Sequence, residues 1–335
     1  MKKRIQIIDF IRGIAVIVMI IANFSAYFIN SPNTIFFRVV YSFAAPMFLF
    51  ISGYSYFISS IGITNPFNKI KYGMFIIFAA VFIDLFIWRI SPLCTFDVLH
   101  IIGFGFIFNG LTFKLNSIFR IFLTLLILLV PLIFRNEIIY RFQLNELDLT
   151  NIMELNWYNY INLNPFKRFL FDGWFPLFPW LGIILFGYVF AENKFKITQY
   201  IKTIYLIGLL GLISGILLGI NNISYSDRNG YLELFYPLNS YFLLATISLC
   251  TLIGLLISSW QSQLFGKYNF IIKLGKNSLF IYILHCLIIV LIVPKVDEIN
   301  ELFFGLFSLF TLIAIYFMLI FIDYFKSKFH LSKSS

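Results

Sequence analysis

The chain has 335 residues, a net charge of +10, 60% apolar residues and 12% charged residues, with a mean hydropathy of +0.90. Soluble domains keep about a quarter of their residues charged, so this composition excludes a water-soluble protein. It indicates an all-α, polytopic membrane protein, and loops beside a membrane explain the basic excess better than nucleic-acid binding does.

Apolar runs long enough to cross a bilayer follow one another along the chain. A hydrocarbon core of about 30 Å requires roughly 20 helical residues for each crossing. Such runs lie at residues 5–29, 39–60, 70–90, 96–113, 117–134, 174–191, 201–220, 239–259, 278–294 and 302–324. The sequence therefore predicts a helical bundle of about ten transmembrane helices, forming a single domain over residues 1–335. Its last part, residues 302–335, is a span with a basic tail.

The distribution of Lys and Arg over the connecting segments predicts the orientation. With the amino terminus in the cytoplasm, sixteen basic residues lie inside and eight lie outside. This bias favours cytoplasmic locations for both termini and a multi-pass protein of the cell membrane. The basic inner surface also suits an anionic cytosolic ligand such as a nucleotide or a coenzyme.

The first span contains an acid, a base and an amide. Asp9 and Arg12 are three residues apart, so they share a helical face and can form an ion pair near the inner interface. Asn23 follows three turns later on the same face. The pair has two interpretations, a functional site or a snorkelling anchor for the helix.

His285 lies about eight residues into the ninth predicted span, near the middle of the membrane. An imidazole at that depth needs a hydrogen-bond partner or a water-filled cavity. It can serve as a general base, or it can be a neutral histidine bonded to a neighbouring helix.

His100 follows Asp97 by three residues, so the two side chains are predicted to share a face at the outer end of the fourth span. A carboxylate beside an imidazole fixes its tautomer and increases its basicity. Asp84 and Arg89 are predicted at a similar depth. The four groups form either an acid–base site or an interfacial salt-bridge network.

The three cysteines, Cys94, Cys250 and Cys286, lie in or beside apolar runs. They form no CxxC motif and have no histidine at metal-ligand spacing. The sequence predicts neither a disulfide framework nor a metal site.

Five different short motifs follow one another along the chain. They are Arg4-x4-Asp9-x2-Arg12-Gly13, Ala45-Pro46-Met47 through Gly53, Asp97-x2-His100, Trp174-x-Pro176 through Gly187-Tyr188, and Leu274-Gly275-Lys276-Asn277-Ser278 through His285. Together, over residues 4–285, they resemble the prokaryotic relatives of the heparan-alpha-glucosaminide N-acetyltransferase catalytic domain. The glycines Gly13, Gly53, Gly103, Gly182 and Gly275 are expected at close contacts between helices.

The resemblance implies an acyltransferase that moves an acyl group, usually acetyl, from cytosolic acyl-CoA to a sugar amine or hydroxyl at the opposite face. Asp9 and Arg12 match the family's signature in the first span. On this basis Arg12, Asp9 and Lys276 would hold the coenzyme. Asn23 or His285 would lie near the thioester, and either His285 or His100 with Asp97 would accept the proton of the sugar.

One departure from the family bears on the mechanism. The family's human lysosomal member is thought to use a histidine between its first two spans, whereas residues 30–38 contain none. Direct transfer is therefore preferred over an acyl-enzyme relay. Two alternatives stay open, a proton-coupled transporter or flippase, and a relative that has lost catalysis.

Overall fold

The computed structural model describes residues 5–28, 34–93, 95–133, 165–221, 240–259, 270–292 and 300–332. Within these ranges the chain is helical almost throughout, which confirms the all-α prediction. In chain order the helices are α1 Gln6–Phe28, α2 Ile35–Ser42, α3 Ala44–Ser60, α4 Phe67–Phe82, α5 Val98–Leu111, α6 Ser117–Ile133, α7 Pro165–Lys167, α8 Leu177–Glu192, α9 Lys194–Thr198, α10 Ile201–Asn221, α11 Ser240–Ser259, α12 Phe270–Lys276, α13 Ser278–Ile292 and α14 Glu301–Ser332. Two π-helical segments, Ile83–Trp88 and Arg168–Asp172, follow α4 and α7.

Six candidate membrane spans occur among the described residues, and a broken helix adds a seventh. The six are Gln6–Phe28, Ile35–Ser60, Phe67–Trp88, Ile201–Asn221, Ser240–Ser259 and Glu301–Ser327. The broken helix is α12 with α13, which meet at an angle of 88°. α5, α6 and α8 are shorter apolar helices, and the 14 residues of α5 rise only about 21 Å. Each predicted run overlaps one of these helices, but the count of ten crossings and the side of the termini stay predictions.

Large apolar side chains cover the outer surfaces of several helices. Phe78 on α4, Ile207 on α10 and Phe310 and Phe317 on α14 are all exposed. Such faces are unfavourable in water and suit lipid contact. They support a multi-pass membrane protein.

The chain divides into two compact units, Met1–Ala44 with Gln261–Ser335, and Ala45–Trp260. In the first unit, α1 packs against α12, α13 and α14. In the second, α4 packs on α5, α6 on α8, and α10 on α11. The single domain over residues 1–335 remains a prediction.

Glycines make the tightest helix crossings, as expected for the five positions named above. In the first unit, a Cβ added to Gly13 would collide with the carbonyl of Ile271, and one added to Gly275 would collide with the carbonyl of Asp9. In the second unit, Gly53 and Gly187 make the same reciprocal contact between α3 and α8. Gly73 and Gly103 make it between α4 and α5. Gly182 of α8 packs on the Leu128 side chain of α6. At the reciprocal crossings, backbone lies against backbone with no room for a side chain.

Candidate functional site

The crossing of α1 and α12 determines the surroundings of Asp9 and Arg12. Arg12 Nη1 lies 3.4 Å from Asp9 Oδ1, and the Asp9 side chain is 2% exposed against 19% for Arg12. The ion pair predicted from the three-residue spacing is therefore present. Because Gly275 packs on the Asp9 carbonyl, Lys276 follows directly at this crossing, with its side chain exposed. The three predicted coenzyme-binding residues thus share one crossing.

The second half of α1 brings Asn23 to His285 of α13. Asn23 Nδ2 lies 3.0 Å from His285 Nε2, and His285 is 1% exposed. With the Asn23 amide in this orientation its nitrogen can only donate, which assigns Nε2 as the acceptor and places the proton of the neutral ring on Nδ1. Two residues that are 262 positions apart in the chain therefore form one buried polar pair.

The remaining contacts of His285 come from its own helix. The Tyr282 ring stands edge-on to the imidazole with centroids 5.0 Å apart, and Cys286 Sγ lies 3.8 Å from Nε2. These contacts fix the ring orientation and direct Nε2 toward α1. A ring held in this orientation can accept a proton at Nε2.

In the second unit, His100 faces a carboxylate from the π-helical segment after α4. His100 Nε2 lies 3.6 Å from Asp84 Oδ2, and both residues are buried. Thr95 Oγ1 donates to Asp84 Oδ1 at 3.2 Å. Arg89, which the sequence placed at the same depth, is exposed.

The partner predicted for His100 from spacing requires a correction. Asp97 stands at the amino-terminal cap of α5, where its Oδ1 accepts a hydrogen bond from Val98 N at 2.6 Å. A capping carboxylate turns toward the unpaired N–H groups of the first turn rather than along the helix face. The carboxylate that the structure places against the His100 ring is that of Asp84.

The segment around this cluster is irregular. Arg89, Leu93 and Phe96 have positive φ values of 55°, 59° and 47°, which are unfavourable for residues with a Cβ. Two hydrogen bonds tie the segment to the approach to α8, from Trp174 N to the Thr95 carbonyl at 2.8 Å and from Phe175 N to the Phe96 carbonyl at 2.9 Å. Together with the π-helical turns, this irregular backbone gives the segment two features that are common at functional sites.

Replacement of Thr95 by Val tests whether the Asp84 carboxylate depends on its hydroxyl donor. The substitution keeps the shape but removes the bond, so we expect a loss of about 1 to 2 kcal/mol in unfolding free energy. Thermal unfolding of the detergent-purified protein should show a fall in Tm of about 2 to 6 °C. Thr251→Val is the matched control, because in the described part of the chain its hydroxyl donates to the Ile247 carbonyl of its own helix. Equal Tm values for the two variants would contradict the role given to Thr95.

Two polar residues were not identified as site residues from the sequence. Thr95 lies in a short irregular segment without periodicity, and the only available signal was its position two residues before Asp97. Arg120 was counted only among the inner basic residues, but the structure buries it at 2% exposure. Cys94 lies outside the described residues. Among those described, no three His, Cys, Asp or Glu side chains are grouped to hold a metal ion.

The apolar exposed helices and the ionisable side chains buried among them together define a polytopic membrane protein. A family model described as heparan-alpha-glucosaminide N-acetyltransferase, catalytic, matches residues 4–215, which is more than half of the chain. The chain belongs to this family, and the family indicates a membrane acetyltransferase in general. No match was found among curated proteins.

The matched residues cover only part of the site predicted from the sequence. Asp9, Arg12, Asn23, Asp97 and His100 lie within them, whereas Lys276 and His285 lie beyond residue 215. The structure nevertheless joins the two regions, because Gly275 packs on Asp9 and His285 bonds to Asn23.

Proposed function

We propose that the protein transfers an acyl group, in the simplest case acetyl, from cytosolic acyl-CoA to an amine or hydroxyl of a sugar in a glycan or related envelope compound. Membership of the acetyltransferase family supports the reaction class. The contact between Asn23 Nδ2 and His285 Nε2 carries the assignment of the reacting centre. This contact brings a proton acceptor and an amide donor together among apolar side chains. We also propose that the enzyme is located in the cell membrane.

In the proposed reaction, His285 is the general base. Its Nε2 takes the proton of the attacking amine or hydroxyl while the nucleophile forms a bond to the thioester carbonyl carbon. The carbon–sulfur bond then breaks, and the leaving sulfur takes up the proton from His285, so that coenzyme A departs as the thiol. No acyl-enzyme forms, in keeping with the lack of histidine in residues 30–38.

Asn23 is proposed to stabilise the charge that develops during attack. Its amide bonds to Nε2 before substrate arrives, and it can donate to the thioester oxygen once the acceptor occupies Nε2. We expect Asn23→Ala to lower kcat about 100-fold, as the loss of one oxyanion donor does elsewhere. The measurement is the rate of label transfer from radiolabelled acetyl-CoA to glucosamine. Asn109→Ala is the control, because among the described residues this buried amide donates to the Gly105 carbonyl of its own helix. An equal loss in both variants would refute the assignment.

The donor is proposed to bind along α1. Arg12 and Lys276 provide cationic groups for the coenzyme phosphates, and Asp9 positions the Arg12 guanidinium. Arg12 and Asn23 are eleven residues apart in the same helix, a rise of about 16 Å. An extended pantetheine arm anchored near Arg12 could therefore bring its thioester toward Asn23.

Heat protection by coenzyme A tests this placement. We expect coenzyme A at about ten times its Kd to raise the Tm of the wild-type protein by about 3 °C. Arg12→Ala should remove most of that rise, even if its baseline Tm also falls. Lys326→Ala on α14 removes an exposed positive charge from the same unit and should keep the rise. An unchanged response in Arg12→Ala would exclude Arg12 as a coenzyme ligand.

Reconstituted vesicles test the function as a whole. With labelled acetyl-CoA on one side and glucosamine on the other, acetylated glucosamine supports the transferase. The 88° bend between α12 and α13 favours a second candidate, a transporter, because discontinuous helices occur at transporter substrate sites. Glucosamine that accumulates without acetylation would support transport, and neither product would support a relative without catalysis.

A further inference from the structure

A buried arginine lies at one end of the second unit, where α5 ends and α6 begins. Arg120 is in the first turn of α6 and is 2% exposed. Its Nη2 donates to the carbonyl oxygen of Thr112 at 3.0 Å, with the carbonyl oxygens of Phe113 and Leu115 each at 3.4 Å. One nitrogen of the guanidinium therefore caps the carboxyl end of α5.

The rest of the Arg120 guanidinium has fewer hydrogen-bond acceptors than it has donors in the described part of the chain. Its central carbon lies 4.0 Å from the centre of the Tyr188 ring, a cation–π contact that covers one face of the group. Nε and Nη1 are buried and meet no acceptor within the described part of the chain. A buried charge with unpaired donors is costly, and an anionic ligand is the partner that would satisfy it.

The surroundings of Arg120 are basic. Lys69 Nζ lies 5.7 Å from the centre of the Tyr56 ring, which in turn packs on the Tyr188 ring at 6.0 Å. Residues 59–72, 110–120 and 190–203, which form this end of the unit, contain seven Lys and Arg and one carboxylate, Glu192. Glu192 Oε2 is also buried without a donor among the described residues, so it can accept a hydroxyl hydrogen from a bound molecule.

We propose that this end of the second unit binds the phosphate group of a phosphate ester, with Arg120 as the anchoring residue and Lys69 contributing charge. An excess of cations beside an unpaired guanidinium suits a phosphate, which accepts several charge-assisted hydrogen bonds. The ester's own hydroxyl would donate to Glu192. This site uses none of the residues assigned to acyl transfer, so it is independent of the proposed reaction.

Inorganic pyrophosphate is the first probe, added to the full-length protein in detergent. The wild-type Tm should rise by about 3 °C at about ten times the Kd. Arg120→Gln should weaken pyrophosphate binding by about tenfold or more, and Arg120→Lys should retain part of the response because it keeps the charge. Lys71→Gln removes an exposed charge from the same end and should bind as the wild type does.

Lipid headgroups are the second source of the same chemistry. To test this source, the Tm values of the wild type, Arg120→Gln and Lys71→Gln are compared in nanodiscs of phosphatidylglycerol and of phosphatidylcholine. A rise in Tm specific to phosphatidylglycerol, absent in Arg120→Gln and kept in Lys71→Gln, would support the site with a lipid as its occupant. The proposal is overturned if neither probe stabilises the wild type, or if Arg120→Gln and Arg120→Lys keep the full response. Arg120 would then be only a helix cap.

Discussion

Gly275→Ala should destabilise the first unit more than any other single methyl group added to it. The new Cβ would collide with the carbonyl of Asp9, a backbone atom that cannot move aside by a change of rotamer. Overpacking costs about 1 to 3 kcal/mol, and a collision with backbone belongs at the upper end of that range. We expect thermal unfolding in detergent to show a fall in Tm of about 5 to 10 °C.

A matched glycine in the same unit provides the control. An added Cβ at Gly305 on α14 meets no atom within 4 Å, so Gly305→Ala should leave the Tm unchanged or slightly raised. If Gly275→Ala is as stable as Gly305→Ala, α1 and α12 do not cross backbone to backbone. The placement of Lys276 beside Asp9 would then be wrong.

His285→Gln should almost abolish acyl transfer while the fold is retained. The Gln side chain can still accept a hydrogen bond from Asn23 but cannot take a proton at neutral pH. General bases contribute about 10² to 10⁴ in rate, so we expect kcat to fall about 1000-fold with little change in the KM for acetyl-CoA. Steady-state transfer to glucosamine measures both parameters.

His100→Gln separates His285 from the other buried histidine. His100 pairs with Asp84 in the second unit, and the proposed reaction gives it no proton to accept. Its replacement should lower the Tm and leave kcat within about tenfold of the wild type. The opposite result, with activity lost in His100→Gln and kept in His285→Gln, would move the reaction to the Asp84 cluster.

Local patterns in the sequence were sufficient for the helices and for the contacts within them. The apolar runs mark the helices because each run must satisfy its own backbone in lipid. Asp9 and Arg12 could be paired because a three-residue spacing determines a shared helical face. The glycine crossings could be anticipated because helices in lipid pack closely at small residues.

Contacts between distant segments could not be derived in the same way. The sequence placed Asn23 and His285 in separate helices, and only the tertiary fold joins them. Asp97 was assigned to His100 by spacing, but a helix cap competes for that carboxylate. The burial of Arg120 could not be predicted, because the sequence does not distinguish Arg120 from Lys114 and both are typical of basic residues beside a membrane.

A single-turnover experiment tests the central claim that the acyl group moves directly to its acceptor at the Asn23 and His285 pair. Purified enzyme in excess over radiolabelled acetyl-CoA is mixed with glucosamine and stopped at short times. We predict that label appears on the sugar at the rate at which it leaves the coenzyme, with none attached to protein, and that His285→Gln slows both processes equally. Label that accumulates on the protein before it reaches the sugar, or transfer at the wild-type rate in His285→Gln, would contradict the account.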